Sequence, residues 1–349
     1  MKKILVCPDI HFCQNWSIVR ERGEKFSLRL ENCIKSINWV KDTALKNNCS
    51  SIFYLGDFFD KSSLNAEEIT ALSEINFDID CHQFIIVGNH ETTVANNLFN
   101  SSNSLKNVVV FNNYFCLEDD NIAIHLLPYI YDCPTDLKQI IQTVRNKKNI
   151  VLSHNDLKDV NYGSFISKEG FDLESITNNC DLFINGHIHN NSWINNKILN
   201  LGILTGKDFK EDCSKYVHQV AIIDLETLKV ELIENPYAFN FTRLQVNNVE
   251  DLDNQLQNLN KNNLVLYVKC SSEIYNEIKT KLEYYRLNTE KVAVYQLVTM
   301  NTLKVLNTFN ESVDKDLNKI DPLKDLRSFI ISSLPDDKYV LEELNKICT

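Results

Sequence analysis

Short apolar runs alternate with amphipathic or polar segments from the N-terminus to about residue 236. Five runs are rich in β-branched or aromatic residues and end at a turn-forming or polar residue, which is typical of buried strands. They cover residues 3–7, 51–55, 83–87, 149–152 and 181–184. Further strands are predicted at 197–201, 217–224 and 229–233. A helix over 26–46 is predicted because apolar residues recur there at helical spacing: Leu30, Ile34, Ile37 and Val40. The alternation indicates an α/β fold.

The pattern changes after Pro236. Strands are predicted at 241–246, 264–270 and 291–298, with helices at 249–259 and 271–286 between them. This succession predicts a small α/β capping domain over residues 237–300, following a first domain over 1–236. Residues 301–320 are polar and mixed, and we predict a linker there. Residues 321–349 carry two amphipathic helical patterns separated by Pro335, and they are the predicted partner-binding helices.

The composition of the chain limits the classes of function that it can have. The chain has 349 residues and a formal net charge of −11, so a polyanionic partner requires a local basic patch, bound metal or another subunit. The 11 cysteines include no C-x-x-C pair, which favours free thiols over a disulfide framework or a zinc knuckle. No apolar run reaches the ~18 residues that span a bilayer. We therefore predict a soluble cytoplasmic protein without a membrane contact.

A short polar motif follows each of the first five predicted strands. In chain order they are Asp9-Ile10-His11, Gly56-Asp57-Phe58-Phe59-Asp60, Gly88-Asn89-His90-Glu91, Ser153-His154 and Gly186-His187-Ile188-His189. Ligands of open α/β sheets bind beyond the carboxyl ends of the strands, so these motifs are expected to meet at one rim. Five motifs in this order concentrate five of the chain's eight histidines.

Each motif also has a plain structural interpretation. D-x-H can be a solvated pair, G-D-x-x-D a turn with an N-capping aspartate, and G-N-H a tight turn. Ser153-His154 carries almost no information alone. G-H-x-H is more informative, because side chains two apart on an extended segment share a face. All five motifs together favour a metal centre over five unrelated turns.

The donor atoms indicate the chemistry. Carboxylate, amide oxygen and imidazole suit Mn²⁺, Fe²⁺ or Zn²⁺, and the absence of thiolates disfavours a structural zinc site. Seven candidate ligands are too many for one ion and suit two: Asp9, His11, Asp57, Asn89, His154, His187 and His189. Two ions ~3.5–4 Å apart suit displacement at phosphorus. Asp57 is the natural bridge, since it lies between the D-x-H and G-N-H motifs.

In this order the motifs resemble those of the calcineurin-like metallophosphoesterase superfamily, over about residues 1–235. The resemblance implies a two-sheet α/β sandwich flanked by helices as the nuclease domain over residues 1–236, and a capping, DNA-binding domain over 237–300. Within the superfamily the chain is similar to the SbcD (Mre-eleven) family of DNA-repair nucleases, and most similar to its smaller phage-encoded members. This narrower likeness depends on chain length, a Leu201-Gly202 turn, the small domain after Pro236 and the terminal helices.

The resemblance implies a role for each site residue. Asp9, His11 and His189 would hold one ion and Asn89, His154 and His187 the other, with Asp57 bridging and Mn²⁺ the expected metal. His90 would be catalytic, contacting the scissile phosphate without binding metal. Asp60 would orient neighbouring groups; the alternative is that it caps the following helix. The histidines outside the motifs are expected to be structural: His82, His125 and His218.

The function implied is a metal-dependent DNA nuclease, with 3′→5′ exonuclease and single-strand endonuclease activity. The resemblance also implies an SMC-like ATPase partner of the SbcC (Rad-fifty) type, in the cytosol of a bacterium or of a phage-infected host; a homodimer remains open. One alternative is a phosphoesterase acting on small molecules or phosphoproteins. Another is a non-catalytic scaffold of the same fold, although such relatives lose ligands and here the set is complete.

Overall fold

The computed structural model describes residues 3–14, 19–91, 105, 107–160 and 166–299. The predicted linker over 301–320 and the predicted helices over 321–349 lie outside these residues.

Within these ranges the chain forms fifteen strands and five α-helices. The strands are β1 Lys3–Cys7, β2 Cys49–Tyr54, β3 His82–Ile86, β4 Val108–Phe111, β5 Phe115–Glu118, β6 Ile122–Leu127, β7 Lys148–Ser153, β8 Leu182–Asn185, β9 Ser192–Trp193, β10 Ile198–Asn200, β11 Gln219–Asp224, β12 Val230–Glu234, β13 Asn240–Gln245, β14 Leu264–Cys270 and β15 Val292–Thr299. The helices are α1 Leu28–Lys46, α2 Ala66–Ser73, α3 Leu173–Asn179, α4 Val249–Leu259 and α5 Tyr275–Asn288.

Two six-stranded sheets form the main body. Their strand orders are β12-β11-β1-β2-β3-β4 and β5-β6-β7-β8-β10-β9. Strands β1 to β4 run parallel, as do β6, β7, β8 and β10, whereas β11, β12, β5 and β9 pair antiparallel. Parallel strands buried on both faces read as nearly continuous apolar runs, which explains why β1, β2, β3, β7 and β8 were visible in the sequence.

Alternate residues of β1 show how the layers pack. Ile4 and Val6 lie in an apolar core shared by the two sheets, whereas Leu5 and Cys7 face the layer that contains α1. Helix α1 begins after Ser27, whose side chain accepts a hydrogen bond from Leu30 N at 3.2 Å and so caps the helix. The two-sheet sandwich with flanking helices confirms the expected fold class.

The segment after Pro236 forms a separate three-stranded parallel sheet, in the order β13-β14-β15. Helices α4 and α5 cover one of its faces through a core that includes Leu252, Leu256, Ile278 and Leu282. Phe241 on the other face belongs to a cluster that includes Val19 and Phe209. All three strands and both helices were predicted, although α5 begins at Tyr275 and not at residue 271. The boundaries of the two domains stay a prediction.

Four strands of the sandwich were not predicted: β4, β5, β6 and the two-residue strand β9. Strand β6 is a fully buried apolar run whose signal was available, whereas β4 and β5 are four-residue edge strands with exposed positions. None of the described helices has the length and apolar character needed to cross a membrane.

Candidate metal centre

The five motifs meet at a rim to which both sheets contribute. The first three follow β1, β2 and β3 of one sheet, and the last two follow β7 and β8 of the other. Asp9, His11 and His154 are fully buried, and Asp57 is nearly so. The expected convergence at the carboxyl ends of the strands is therefore observed, at the seam between two sheets and not at the edge of one.

One group of side chains contains Asp9, His11 and His189. The Nε2 atoms of the two imidazoles lie 3.0 Å apart. Asp9 Oδ2 lies 4.0 Å from His11 Nε2 and 3.8 Å from His189 Nε2. These three ligand atoms lie close enough to one another to contact a single cation.

A second group contains Asp57, Asn89, His154 and His187. Asn89 Oδ1 lies 3.1 Å from His154 Nε2 and 3.1 Å from His187 Nδ1. Asp57 Oδ2 lies 3.4 Å from His154 Nε2 and 3.6 Å from His11 Nε2. One oxygen of Asp57 therefore lies between the two groups, which is the position a bridging ligand requires.

Oxygen acceptors outside the cluster fix the orientation of three imidazoles. His11 Nδ1 lies 2.9 Å from Asp60 Oδ1, His189 Nδ1 2.9 Å from Glu211 Oε1, and His154 Nδ1 2.6 Å from the carbonyl of Leu55. Because an unprotonated oxygen only accepts, each Nδ1 carries the hydrogen and each Nε2 directs its lone pair inward. Such partners are typical of histidine ligands to metals.

The two carboxylates that contact these imidazoles belong to Asp60 and Glu211. Asp60 orients His11, and the following helix α2 is capped by Asn65 instead, which decides between the two roles considered for Asp60. Glu211 is almost fully buried and also accepts from Lys207 N at 2.6 Å. Neither Glu211 nor Lys207 could be predicted from the sequence, because the polar loop after β10 has no characteristic spacing relative to the motifs.

Three of the predicted ligands have left-handed backbone conformations. The φ angles are +50° at His11, +42° at Asp57 and +68° at His187. Non-glycine residues pay of order 1–3 kcal/mol for such conformations, which cluster at functional sites. The conformation of His187 also corrects one premise: G-H-x-H is not extended, and its histidines join different groups, His187 near Asn89 and His189 near Asp9.

Burial and mutual charge shift the pKa values of this cluster. Burial raises the pKa of Asp9, whereas for Asp57 the opposing effect of His154 and His11 outweighs burial and lowers the pKa. Burial lowers the pKa of His154, but the carboxylates of Asp57 and Asp9 outweigh it and raise the value to about 9. Burial lowers the pKa of His11 well below its ordinary value.

His90 lies beside the cluster at its exposed side. Its backbone N donates to Asp57 Oδ1 at 3.0 Å, and its Nδ1 lies 2.6 Å from the carbonyl oxygen of Asp60. Nδ1 therefore donates, and Nε2 lies 3.9 Å from Asp57 Oδ2 with the side chain one-third exposed. The ligand atoms of His90, His11 and Asp57 also lie close enough to one another to hold a metal ion. Its assignment as a residue that does not bind metal stays a prediction.

Two buried ionisable side chains, Glu91 and Arg29, fix the backbone that presents the ligands. The Glu91 carboxylate accepts from Phe59 N and Gly88 N, both at 2.9 Å, and so joins the loops after β2 and β3. Burial raises its pKa to about 8. The Arg29 guanidinium donates to the carbonyl of Ile10 at 3.0 Å and supports the D-x-H motif from α1.

The donor set fits two divalent cations. Inward-facing nitrogen lone pairs 3.0 Å apart repel each other unless a cation or proton lies between them, and two buried carboxylates supply compensating negative charge. The ligands are oxygen and imidazole nitrogen without thiolate, which agrees with the metals expected from the sequence.

Comparison with known proteins agrees with this geometry. The model of the calcineurin-like phosphoesterase family matches residues 2–191, which is more than half of the chain. The match ends two residues after His189 and so contains all five motifs. A comparison with curated proteins found no match. The chain belongs to the calcineurin-like phosphoesterases, a family of hydrolases that bind two divalent metal ions.

Proposed function

We propose that this protein is a metal-dependent DNA nuclease that hydrolyses phosphodiester bonds at DNA ends. The observation that carries the proposal is the attachment of a second α/β unit beside a complete metal cluster. The loop that brings Glu211 to His189 also brings Phe209 into the apolar cluster of Phe241 and β14. A polymer substrate benefits from binding surface next to the reacting phosphate, whereas a small phosphoester does not need it.

His90 is the proposed catalytic residue. Its Nδ1 is engaged by the carbonyl of Asp60, which leaves Nε2 to face a phosphate bound at the cluster. The ions, when bound, activate water and neutralise charge on the phosphate. His90 in its imidazolium form, with Nδ1–H on the carbonyl of Asp60, stabilises the additional charge through Nε2–H and donates that proton to the leaving oxygen. Asp60 and Glu211 hold the His11 and His189 rings in the orientation that this requires.

The likeness to the SbcD family supports two further parts of the proposal. The activities are 3′→5′ exonuclease on duplex DNA and endonuclease on single strands. The partner is an SMC-like ATPase, bound through the amphipathic patterns in residues 321–349. Mn²⁺ is the proposed metal, since carboxylate, amide and imidazole ligands without thiolate suit it.

One observation favours a different substrate. The net charge of −11 repels a polyanion, which suits a phosphoesterase that acts on small molecules or phosphoproteins. Such an enzyme would use the same cluster without the added unit. A non-catalytic scaffold is disfavoured, because all seven predicted ligands and His90 are present.

The experiment compares substrates under one condition. Purified protein with Mn²⁺ is incubated with end-labelled duplex DNA, circular single-stranded DNA, a chromogenic phosphodiester and a phosphopeptide. We expect shortening of the duplex from its 3′ ends and cleavage of the circle. Hydrolysis of the chromogenic compound or the phosphopeptide with both DNAs intact would assign the activity to the second candidate.

A further inference from the structure

The loop that follows β6 places an aromatic ring against the ligands of the second ion. Tyr129 lies two residues after Leu127, where β6 ends. The centroid of its ring is 5.7 Å from that of the His187 ring and 6.5 Å from that of the His154 ring. Both imidazoles belong to the group that contains Asn89. Tyr129 therefore forms a wall at the second-ion end of the cluster.

The backbone of this loop is fixed on both sides of the tyrosine side chain. Tyr129 N donates to the carbonyl oxygen of Val87 at 2.8 Å, and Ile130 N donates to Asn155 Oδ1 at 2.9 Å. Val87 directly precedes the G-N-H motif, and the fully buried Asn155 directly follows His154. The ring is thus positioned by the same two loops that present ligands of the second ion, as a preorganised binding surface requires.

The contacts with the two imidazoles leave part of this side chain available. Tyr129 is half-buried, and its hydroxyl has no hydrogen-bond partner among the residues that the structure describes. A tyrosine combines a large apolar ring with a polar end that usually finds a partner once it is buried. Such a side chain at the rim of a metal cluster is suited to contact a bound substrate.

The charges at this end of the cluster favour an uncharged group. Asp156 Oδ1 lies 3.4 Å from His187 Nε2, and the aspartate side chain is 24% exposed. A carboxylate in this position disfavours a further phosphate, because like charges repel. The ammonium of Lys207 lies at the other end, 3.3 Å from Asp60 Oδ1. A planar, uncharged group such as a nucleobase therefore fits beside Tyr129 better than an acidic peptide does.

His90 indicates which part of the substrate lies at each end. Its ring centroid is 4.8 Å from that of His11, a ligand of the first ion. As the proposed proton donor, His90 places the leaving oxygen at this end. The attacking and leaving oxygens of an in-line displacement lie on opposite sides of the phosphorus, and the other ester group stays on the phosphate. Tyr129 packs against the ligands of the other ion and is available to that retained group.

We propose that Tyr129 is a specificity-determining residue whose ring stacks on the base of the nucleoside that stays on the reacting phosphate. The inference deepens the proposed nuclease function and rests on it. In exonuclease action from a 3′ end, water adds to the phosphorus and the P–O bond to the preceding sugar breaks. The leaving oxygen takes a proton, and the terminal nucleoside departs with its 5′-phosphate. Tyr129 would hold the base of this terminal nucleoside.

The test compares two substrates that release the same p-nitrophenolate with Mn²⁺: the p-nitrophenyl ester of thymidine 5′-phosphate, and methyl p-nitrophenyl phosphate. They differ only in the retained ester group. We expect wild type to prefer the thymidine ester in kcat/KM, and Tyr129→Leu to reduce this preference about tenfold through the KM of that ester. A tenfold change corresponds to about 1.4 kcal/mol, within the range of stacking on a base. Tyr129→Phe keeps the ring and should keep the preference.

Two controls separate stacking from support of the metal ligands. Tyr131→Leu removes a tyrosine of the same loop that is 82% exposed, and it should keep the preference of wild type. The p-nitrophenyl ester of abasic deoxyribose 5′-phosphate has a sugar and no base, so Tyr129→Leu should not change its kcat/KM relative to the methyl ester. Metal content is measured on each variant after Mn²⁺ loading and desalting. Loss of metal in Tyr129→Leu, with both esters slowed equally, would overturn the inference and reduce the ring to a support of the imidazoles.

Failure of this inference differs from failure of the proposed function. If wild type shortens end-labelled DNA and Tyr129→Leu keeps the full preference for the thymidine ester, the ring does not bind the base. Shortening of DNA by a wild type that has no such preference would overturn the inference in the same way. If wild type hydrolyses both p-nitrophenyl esters equally and leaves DNA intact, the nuclease proposal itself is overturned.

Discussion

Asp57 presents one carboxylate oxygen to both halves of the metal cluster. Its Oδ2 lies 3.6 Å from His11 Nε2 and 3.4 Å from His154 Nε2, and its Oδ1 accepts from His90 N. The backbone there has a φ of +42°, so the residue is kept at a conformational cost. A single side chain thus contacts both groups of candidate ligands and the backbone of the proposed catalytic histidine.

Replacing Asp57 with alanine should therefore affect both ions. We expect Asp57→Ala to lose most bound metal and all measurable hydrolysis, since the remaining ligands of each ion lose their shared carboxylate. Elemental analysis after Mn²⁺ loading and desalting measures the metal. A stoichiometry near that of wild type together with intact activity would show that Asp57 does not bridge.

His90 should separate metal binding from catalysis. We expect His90→Asn to keep both ions and to lose about 10²–10⁴-fold in rate, the contribution of one acid–base group. Metal content and single-turnover hydrolysis are measured on the same preparation, with His82→Asn as control because His82 lies on β3 outside every motif. Loss of one metal equivalent in His90→Asn would make His90 a ligand.

At the residue scale, the sequence predicted the groups that meet at the cluster because they follow strands that end at one rim. It did not predict Glu211, whose role depends on a contact with His189 across 22 positions. It also did not predict the left-handed conformation of His187, since positive φ is uncommon at any residue other than glycine. Residues that orient the metal ligands are identified from their contacts in the folded structure and not from their spacing along the sequence.

At the element scale, the loops that follow the strands determine the shape of the site, and the strands themselves do not. Glu91 joins the loops after β2 and β3, and Glu211 joins the loop after β8 to the loop after β10. Both carboxylates are buried and bonded to backbone N–H groups, so each loop is positioned by its neighbour. The rim is consequently one connected structure.

Glu211→Gln tests this connection. A carboxamide retains one acceptor but loses the charge that orients His189, and loss of such a partner costs about 10–100-fold in metal affinity. We expect a weakened first ion and an unchanged second ion in a titration followed by calorimetry. Asp212→Asn is the matched control in the same loop. Equal, wild-type affinities for both ions in Glu211→Gln would contradict the positioning role.

Element prediction succeeded for most of the buried parallel strands, although the fully buried β6 was missed. The buried parallel strands β1, β2, β3, β7 and β8 were continuous apolar runs, and α1 showed helical spacing. The edge strands β4 and β5 have mixed burial, and their pairing depends on partners distant in sequence. The third sheet was predicted because its strands and helices alternate without interruption.

At the scale of the whole molecule, an acidic chain presents a metal cluster at the rim between its two large sheets. In the proposed function, the net charge of −11 slows the encounter with nucleic acid, so affinity has to come from the two cations, local Lys and Arg side chains and the partner subunit. Binding should therefore weaken strongly as salt concentration rises. A partner subunit supplies further surface in the proposed assembly.

The C-terminal segment tests the proposed partner. Deleting residues 321–349 should leave a folded, Mn²⁺-dependent nuclease that no longer co-purifies with its ATPase and no longer responds to ATP. Changing Leu326 and Ile330 to Asp should have the same effect, because unpaired charges disrupt an apolar interface. Insolubility of both proteins would instead show that the segment belongs to the folded core.

The central claim is a pair of ions bridged by Asp57, and anomalous X-ray scattering from Mn²⁺-soaked crystals measures it directly. We predict two anomalous peaks ~3.5–4 Å apart, one beside Asp9, His11 and His189, the other beside Asn89, His154 and His187. Asp57 Oδ2 should contact both. A single peak, or two peaks with Asp57 bound to only one of them, would contradict the account.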